Sequence, residues 1–262
     1  MTSSRWTDLK PRVLSAAVLI ALALAAVWIG GIAWRAFISL ACGIMVWELV
    51  RMVDTARDKS ANILGVLAGL CALATPYLPP AFALPLLLLP SMAGFGRMER
   101  GGVTFAVFTA MILLAGYGFM KLRSDFGLIW MLWLVCVVVI TDIGGYFAGR
   151  SIGGPKLWPR VSPKKTWSGA IAGWVGAAVV GLIFAGTTHA GLGLMGISIA
   201  ISMASQIGDM AESTIKRRAG VKDSSNLLPG HGGLLDRFDG MLGAALFLLI
   251  AGQIVDFPPG LE

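Results

Sequence analysis

Charged side chains are scarce in this chain. Asp, Glu, Lys and Arg make up 13% of its 262 residues, whereas hydrophobic residues make up 56%. A soluble globular domain carries roughly 25% charged residues. About half that charge, together with long apolar runs, excludes an ordinary soluble domain and predicts a polytopic integral membrane protein.

Cysteine is also rare, which bears on redox and metal chemistry. Cys42, Cys71 and Cys136 all fall inside apolar runs, and none has a Cys-x-x-Cys partner. We therefore expect neither disulfides nor a zinc site. We interpret the net charge of +7 as a sign of membrane topology and an anionic partner, with no nucleic acid partner expected.

Apolar runs divide the chain into candidate membrane spans. A helix needs about 20 residues to cross a hydrocarbon core about 30 Å thick. The predicted fold is all-α, a polytopic integral membrane helical bundle of about nine transmembrane helices and two longer cytoplasmic loops. We treat 1–262 as a single membrane domain, with N-terminal apolar spans in 1–126 and a catalytic half in 127–256. The spans lie near 13–30, 32–50, 61–78, 80–95, 103–120, 127–149, 168–186, 190–212 and 240–256.

The third and fourth spans contain several prolines, so they are either kinked spans or one re-entrant pair. The first apolar run, which follows the basic segment 1–12, is expected to be a true span because a cleaved signal peptide would have a shorter apolar region.

The distribution of basic residues predicts the orientation. With the N-terminus in the cytoplasm, 18 of the 21 Lys and Arg residues lie on the cytoplasmic side, as the positive-inside rule requires. We expect a bacterial-type inner (cytoplasmic) membrane protein. Two longer loops face the cytoplasm in this layout: loop A, residues 150–167, and loop B, residues 213–239.

Carboxylates share a helix face where the eighth span enters loop B. Asp209, Glu212, Ser213 and Lys216 lie within about 100° of one another on a helix. Two carboxylates at a membrane border suit Mg²⁺, which takes one or two protein carboxylates together with substrate phosphates. The alternative for Glu212 is an i,i+4 ion pair with Lys216 on a helix emerging into water.

The end of loop B combines glycines with charged residues. Glycines allow backbone N–H groups to approach phosphate oxygens closely, and the histidine and arginine can add donors to the same anion. The carboxylates alone would be ordinary partners of a helix start. The segment reads Gly230-His231-Gly232-Gly233 and then Asp236-Arg237-Phe238-Asp239.

Loop A places hydroxyls and lysines directly before the seventh span. Ser162, Lys164, Lys165 and Ser168 could hold a phosphate at the helix N-terminus. Alternatively, the lysines could anchor the protein to anionic lipid headgroups, with nearby tryptophans at the membrane interface.

Asp142 lies about two turns inside the sixth span, among Gly144, Gly145 and Tyr146. An ionisable group inside a span indicates a functional site, although a structural hydrogen bond to a neighbouring helix is the alternative. Glu48 and Asp125 lie near predicted span ends, and we interpret them as ordinary interface residues.

Taken together, these residues resemble the signature of the phosphatidate cytidylyltransferases, also called CDP-diglyceride synthases. The resemblance reaches from about residue 130 to residue 245. Ser225 and Gly240 depart from it, since many members carry Gly and Ser at these positions, but neither change removes a charged group. The signature is met at Ser213, Lys216, Arg217, Lys222, Asp223, His231, Gly232, Gly233, Asp236, Arg237 and Asp239.

The resemblance implies the reaction of CTP with phosphatidic acid to give CDP-diacylglycerol and pyrophosphate, with Mg²⁺ as cofactor. The implied partners are CTP, phosphatidic acid and the lipid bilayer, and a homodimer is a family-level expectation. The predicted catalytic residues are Asp209, Asp236, Lys216, Arg237 and Asp239. The predicted metal ligands are Asp209 and Asp236, with Asp239, Glu212 and Asp142 as second choices.

The resemblance also implies how the basic residues act. Those of loop B would hold the triphosphate, whereas those of loop A would hold either CTP or the lipid phosphate. The first group comprises Lys216, Arg217, Lys222, His231 and Arg237, beside Gly232 and Gly233. The second comprises Ser162, Lys164, Lys165 and Ser168.

Three other functional classes of membrane protein are alternatives to the cytidylyltransferase. A cation-coupled transporter would use Asp142 and Asp209 as an ion path, but it predicts an inverted repeat that the sequence does not show. A CTP-dependent lipid kinase would use similar cationic loops, and only the signature of loop B speaks against it. A structural scaffold has no need for clustered carboxylates.

Overall fold

The computed structural model describes residues 4–54, 58–98, 101–254 and 257. In this part of the chain it contains nine α-helices and one small sheet. The helices are α1 (Ser4–Ile29), α2 (Gly31–Val53), α3 (Asp58–Ala74), α4 (Pro80–Phe95), α5 (Gly102–Lys121), α6 (Leu128–Ser151), α7 (Trp167–Thr188), α8 (Gly193–Arg218) and α9 (Leu235–Ala251).

Most of these helices are apolar enough to lie in a membrane. In the described residues, six helical segments are long and apolar enough to cross one, and two shorter apolar segments accompany them. An all-α integral membrane protein is therefore confirmed, whereas the number of nine spans stays a prediction. The six are Gly31–Val53, Lys59–Tyr77, Gly102–Phe126, Leu128–Ser151, Trp167–Thr188 and Gly193–Arg218, and the two are Val13–Ile29 and Ala81–Phe95.

Prolines shape the connection between the third and fourth helices. A 3-10 turn, Thr75–Tyr77, follows α3, and α4 then begins at Pro80. Proline is tolerated at the start of a helix, because the N–H that it lacks would have no acceptor within the helix at this position. Pro85 and Pro90 lie inside α4. α3 and α4 pack against each other, and at 16 residues α4 is only about 24 Å long.

The chain forms two compact units. Unit 1 contains Met1–Met120 and Ile215–Phe238, and unit 2 contains Lys121–Thr214 and Asp239–Glu262. Most of loop B therefore belongs with the N-terminal helices, although it follows the helices of unit 2 in sequence.

Close helix packing in unit 1 depends on small residues. α2 packs against α1 and α3, and a Cβ atom placed on Gly43 would lie 2.8 Å from the carbonyl oxygen of Gly65. The indole of Trp34 donates to the carbonyl oxygen of Phe119 at 3.1 Å. Glycine at such crossings allows two membrane helices to approach at backbone distance.

Unit 2 uses the same principle around α6, α7 and α8. α6 packs against α7, and a Cβ atom on Gly169 would lie 2.6 Å from the carbonyl oxygen of Gly145. Two buried polar contacts join α6 to α8: Trp133 Nε1 donates to Ser198 Oγ at 3.0 Å, and Thr141 Oγ1 donates to Ser202 Oγ at 2.7 Å. These contacts fix the helices that carry Asp142 and Asp209.

Loop A contains a β-hairpin that the sequence prediction did not include. Strands β1 (Lys156–Trp158) and β2 (Ser162–Thr166) pair antiparallel, with Lys156 opposite Thr166. A turn follows Trp158, where Val161 N–H donates to the Trp158 carbonyl at 3.1 Å. β2 then leads directly into α7, so the hairpin holds its lysines at the start of that helix.

The last helix begins earlier than predicted. α9 starts at Leu235, whereas the predicted span started near residue 240. Asp236, Arg237 and Asp239 therefore lie in the first turns of the helix and not in the loop before it. Acceptors for the first N–H groups of α9, described below, explain the earlier start.

Candidate active site

The ion pair of Lys216 and Asp236 lies at the centre of a polar cluster in unit 1. Lys216, in the last turn of α8, places Nζ 2.7 Å from Asp236 Oδ1. Asp236 Oδ2 accepts hydrogen bonds from Ser224 N–H at 2.8 Å, Ser224 Oγ at 2.9 Å and Gly233 N–H at 2.8 Å. The Asp236 side chain is only 4% exposed, so donors of the protein surround both carboxylate oxygens.

These donors determine the charge of Asp236. Burial by itself raises the pKa of this carboxyl, but the Lys216 ammonium and the N–H groups of Gly233 and Ser224 outweigh burial and lower the pKa below its usual value. Asp236 is therefore a carboxylate at neutral pH. It can act as an anion that orients Lys216, and it can bind a metal by exchanging part of its donors.

Glu48 is the main residue of this cluster that sequence reasoning missed. It lies in α2 with 0% exposure, so its interpretation as an ordinary interface residue is wrong. Oε1 accepts from Leu234 N–H at 2.9 Å and from Ser225 Oγ at 2.6 Å. Oε2 accepts from Leu235 N–H at 2.7 Å and lies 3.4 Å from Ser224 Oγ. Its position within an apolar run was the available signal.

The two glycines after His231 make room for these carboxylates. Gly232 has a φ of 82°, and a Cβ atom there would lie 2.6 Å from Asp236 Oδ2. A Cβ atom on Gly233 would overlap Ser224 Oγ and Glu48 Oε1. The structure thus gives the glycines a packing role, and their predicted role in phosphate binding stays a prediction.

The other basic side chains of loop B lie near the surface. Arg237 is exposed and donates from Nη2 and Nε to the carbonyl oxygen of His231, at 2.8 and 3.1 Å. His231 Nδ1 lies 3.1 Å from Ser15 Oγ of α1. Arg217 and Lys222 are exposed. These predicted phosphate-binding residues therefore lie in unit 1 with exposed or half-buried side chains.

Unit 2 contains a cavity of about 670 Å³ between α6, the hairpin, α7 and α8, called here the hairpin cavity. It brings together the predicted residues Asp142, Lys164, Lys165 and Asp209. Ser162 and Ser168, both in the described part, are not among its lining residues. Sequence reasoning assigned no catalytic, binding or metal role to six other polar or charged residues that line it: Thr141, Tyr146, Arg150, Lys156, Thr166 and Gln206.

Asp209 is the carboxylate of this cavity with the best-defined partners. It forms an ion pair with Lys165, and the two side chains are 27% and 28% exposed. Ser213 Oγ donates to Asp209 Oδ1 at 3.2 Å, which confirms that these residues share a helix face. Glu212 is only 1% exposed, so its side chain does not face water, whereas its i,i+4 pairing with Lys216 stays a prediction.

The N-terminus of α7 opens at the hairpin cavity. Thr166 caps the helix, because its hydroxyl accepts the N–H of Gly169 at 3.2 Å. Lys164 is exposed and Lys165 half-buried in the strand directly before this cap. Cations beside a helix N-terminus suit a phosphate ligand, whereas Asp142 and Asp209 on the other lining helices suit a divalent cation.

The donor set available to a metal is small. Within the described residues, no group of three or more His, Cys, Asp or Glu side chains is placed to hold a metal ion. Two carboxylates at the hairpin cavity match the habit of Mg²⁺, which completes its coordination with water and substrate phosphates. Asp209 and Asp236 lie in different units, so their predicted pairing at one ion stays a prediction.

The two departures from the family pattern have local explanations. The Ser225 hydroxyl makes the 2.6 Å bond to Glu48 described above. A Cβ atom on Gly240 would lie 2.7 Å from Ser205 Oγ, so the neighbouring helix α8 fills the space that a larger side chain would need. Neither departure disturbs a charged group of the site.

Comparison with known proteins places these residues in a family. The sequence profile of the cytidylyltransferase family matches residues 10–255. A phosphatidate cytidylyltransferase of Brucella suis biovar 1 is 39% identical over 267 residues, which cover 96% of each chain. One from Bacillus subtilis (strain 168) is 31% identical over 264 residues, covering 92% of this chain and 96% of the relative. These matches include both the polar cluster and the hairpin cavity, and the chain belongs to the cytidylyltransferase family.

Proposed function

We propose that this protein is a phosphatidate cytidylyltransferase, which transfers the cytidylyl group of CTP to phosphatidic acid and yields CDP-diacylglycerol and pyrophosphate. The two relatives described above, from Brucella suis and Bacillus subtilis, carry this name and align along more than nine tenths of the chain. The observation that supports the proposal best is the hairpin cavity, where Asp142 and Asp209 occur with Lys164 and Lys165. A cavity with both kinds of charge suits a phosphate substrate bound together with a cation.

The proposed reaction is an in-line substitution at phosphorus. A phosphate oxygen of phosphatidic acid forms a bond to the α-phosphorus of CTP, the bond from that phosphorus to the bridging oxygen breaks, and pyrophosphate leaves. Enzymes accelerate such a transfer mostly by positioning the reactants and by stabilising negative charge. Lys164 and Lys165 supply positive charge at the cavity, and Lys165 is held there by Asp209.

Mg²⁺ is part of the proposal. Its ligands would come from Asp209 and Asp142 at the hairpin cavity, with Asp236, Asp239 and Glu212 as the other carboxylates proposed from sequence. When bound, Mg²⁺ would neutralise charge on the phosphate oxygens. The residues of the cavity fit Mg²⁺, because Asp209 and Asp142 both offer carboxylate oxygens as ligands. When Asp209 binds the ion, Lys165 can pair with a substrate anion in place of Asp209.

Loop B contributes the second group of proposed residues. Lys216 is oriented by Asp236, and the other basic side chains stand at the surface of unit 1. Charged donors of this kind bind the oxygens of a triphosphate well. We assign triphosphate binding to Lys216, Arg217, Lys222, His231 and Arg237, together with Gly232 and Gly233.

The enzyme is an integral membrane protein, and we propose that it lies in a bacterial-type inner (cytoplasmic) membrane. The excess of basic residues in the loops on one side supports a cytoplasmic N-terminus and a cytoplasmic active site as part of the proposal, since CTP is available there. Phosphatidic acid would enter from the bilayer between helices. A homodimer is proposed from the family resemblance, and light scattering of the purified protein in detergent tests it.

One assay tests the reaction itself. Purified full-length protein in detergent is incubated with phosphatidic acid, Mg²⁺ and CTP labelled at either the α- or the γ-phosphate. We expect α-label, and no γ-label, in the lipid product. Lipid labelled only by γ-phosphate would replace the proposal with a CTP-dependent lipid kinase, and no labelled lipid at all would refute it.

A variant pair completes this test. Asp236→Asn removes the charge that orients Lys216, and we expect incorporation to fall at least about 100-fold. Asp125→Asn is the matched control, because Asp125 forms an exposed i,i+4 pair with Lys121 and is expected to leave incorporation unchanged. Undiminished incorporation by Asp236→Asn would contradict the assigned site.

A further inference from the structure

Glu48 connects an N-terminal helix to the functional loop of unit 1. It comes from α2, and the residues that it binds, Leu234 and Leu235, are 186 and 187 positions away in the sequence. Its carboxylate is buried and accepts hydrogen bonds from these two backbone N–H groups and from Ser225 Oγ. A buried carboxylate is tolerated only when its oxygens find donors of this kind.

The carboxylate caps the last helix. Leu234 N–H and Leu235 N–H stand at the start of α9, which begins at Leu235. The first N–H groups of a helix have no partner inside it, and a negative charge at that end is favourable. Glu48 therefore fixes the position at which α9 starts, and with it the direction in which the side chains of its first turn project.

Glu48 is also connected to Asp236 through a shared hydroxyl. Ser224 Oγ lies 2.9 Å from Asp236 Oδ2 and 3.4 Å from Glu48 Oε2. Gly233 makes room for Glu48, and its N–H donates to Asp236. The residues that hold Asp236 in place thus lie directly against Glu48.

We propose that Glu48 is a positioning residue of the cytidylyl transfer: by capping α9 and holding Ser224 and Ser225, it sets the orientation of Asp236 and hence of Lys216. The proposal rests on the function proposed above, since Asp236 and Lys216 matter as groups of that reaction. Glu48 itself contacts no reacting atom and acts only through these neighbours.

The geometry specifies which substitution is informative. Leu234 N–H and Ser225 Oγ donate to Oε1, whereas Leu235 N–H donates to Oε2. In Glu48→Gln one of these oxygens becomes an NH₂ group, so one of the two backbone N–H groups would point at a donor and the loop must move to release it. Glu48→Asp keeps both acceptors and the charge but is one methylene shorter.

Kinetics and loop accessibility measure the consequence. For Glu48→Gln we expect kcat to fall about 100-fold, with the KM values for CTP and phosphatidic acid changed about threefold or less. Glu48→Asp should recover part of the lost kcat. Met45→Leu is the matched control, since it changes another buried residue of α2 without altering charge, and its kcat should stay within about twofold of wild type.

Limited trypsin digestion of the full-length protein gives a readout that does not require activity. Cleavage after Lys222, which is exposed in loop B, should be several-fold faster in Glu48→Gln than in wild type, whereas cleavage after Lys156 of the hairpin should not change. Ser225→Ala removes a half-buried hydroxyl that donates to Glu48 and accepts from Leu227 N–H, and it keeps the proposal testable if Glu48→Gln does not fold. It should show a smaller shift of both readouts in the same direction.

Two results would overturn the proposal. One is a kcat of Glu48→Gln equal to that of wild type. If Glu48→Gln does not fold, the corresponding result is a Ser225→Ala variant in which both kcat and the rate of cleavage after Lys222 equal those of wild type. The other is a loss of kcat that merely parallels a loss of folded protein, with unchanged cleavage after Lys222. An inactive wild-type protein would instead refute the proposed reaction, and the cleavage rates would still decide whether Glu48 anchors loop B.

Discussion

Lys216 and Asp236 form a 2.7 Å ion pair in which the carboxylate is almost completely buried and the lysine side chain is 12% exposed. The two residues are separated by 20 positions, and Ser224 and Gly233 complete the environment of the carboxylate. A carboxylate held by so many donors is rigid. Lys216 is therefore held in one orientation, so a ligand that bound it would not have to offset the entropy cost of ordering a free lysine side chain.

The pH dependence of stability tests this environment. The pKa of Asp236 is lowered in the folded protein, so its contribution to stability is present above the ordinary value of about 3.9 and is lost as the pH falls through the lower folded value. Asp236→Asn should lower the unfolding free energy at pH 7 by about 2 kcal/mol. Melting temperatures in detergent from pH 8 to pH 3 should show this difference shrink only below about pH 4.

A difference that already shrinks between pH 8 and pH 6 would contradict the lowered pKa. Asp125→Asn is the control here as well. Its exposed pair with Lys121 is worth little in water, so its melting temperature should follow that of wild type throughout.

The carboxylates of the hairpin cavity predict the metal dependence. Asp209→Asn should raise the Mg²⁺ concentration for half-maximal activity at least about tenfold, because a site with two protein carboxylates loses one of its charged ligands. Asp142→Asn should shift it in the same direction. Initial rates measured against Mg²⁺ at saturating CTP check both, and Mg²⁺ curves identical to wild type in both variants would remove the cavity as a metal site.

The close packing of α6 and α7 beside the cavity predicts that one added methyl group, at Gly169, lowers both stability and activity. A Cβ atom on Gly169 would lie 2.6 Å from the carbonyl oxygen of Gly145, so Gly169→Ala must separate α6 from α7. We expect a loss of about 1–3 kcal/mol of stability and reduced activity. Thermal unfolding in detergent and the incorporation assay measure the two effects.

The same helix offers a matched control for this substitution. A Cβ atom on Gly186, also in α7, meets nothing within 4 Å. Gly186→Ala should be neutral or stabilise the helix by up to about 1 kcal/mol, since alanine is the better helix former. Equal effects of the two substitutions would show that backbone approach at Gly169 is not needed.

The proposed orientation is tested by labelling in intact cells. In a background without Cys42, Cys71 and Cys136, single cysteines are introduced as Lys121→Cys and Lys164→Cys, two exposed positions. A maleimide that cannot cross the membrane should label Lys121→Cys from outside, and should reach Lys164→Cys only after the membrane is opened. The reverse pattern would invert the topology.

Several features of the site were predictable from local sequence. The length and apolarity of the runs indicated the membrane helices, because a helix in lipid satisfies its own backbone and needs only apolar side chains. The helical spacing of Asp209 and Ser213 predicted a contact that the structure contains. The position of Lys164 and Lys165 before the seventh helix was also predicted, because the polar loop ends where the apolar run begins.

Other features were missed for physical reasons. The hairpin of loop A is too short to show a clear alternation of polar and apolar residues. The early start of α9 depends on acceptors supplied by Glu48, a residue of α2. Glu48 itself was assigned to the membrane interface because it lies close to the predicted end of a span.

The amino-acid sequence by itself determined that this chain is a helical membrane protein with a cationic, carboxylate-containing loop, and that it resembles one enzyme family. These conclusions depend on composition and on short-range periodicity, which are local properties. Only the tertiary structure decided that Asp236 pairs with Lys216, that Glu48 caps α9, and that Asp142 and Asp209 line one cavity. Those contacts join residues far apart in the chain, and they follow from how helices pack, which the pattern of a single helix does not specify.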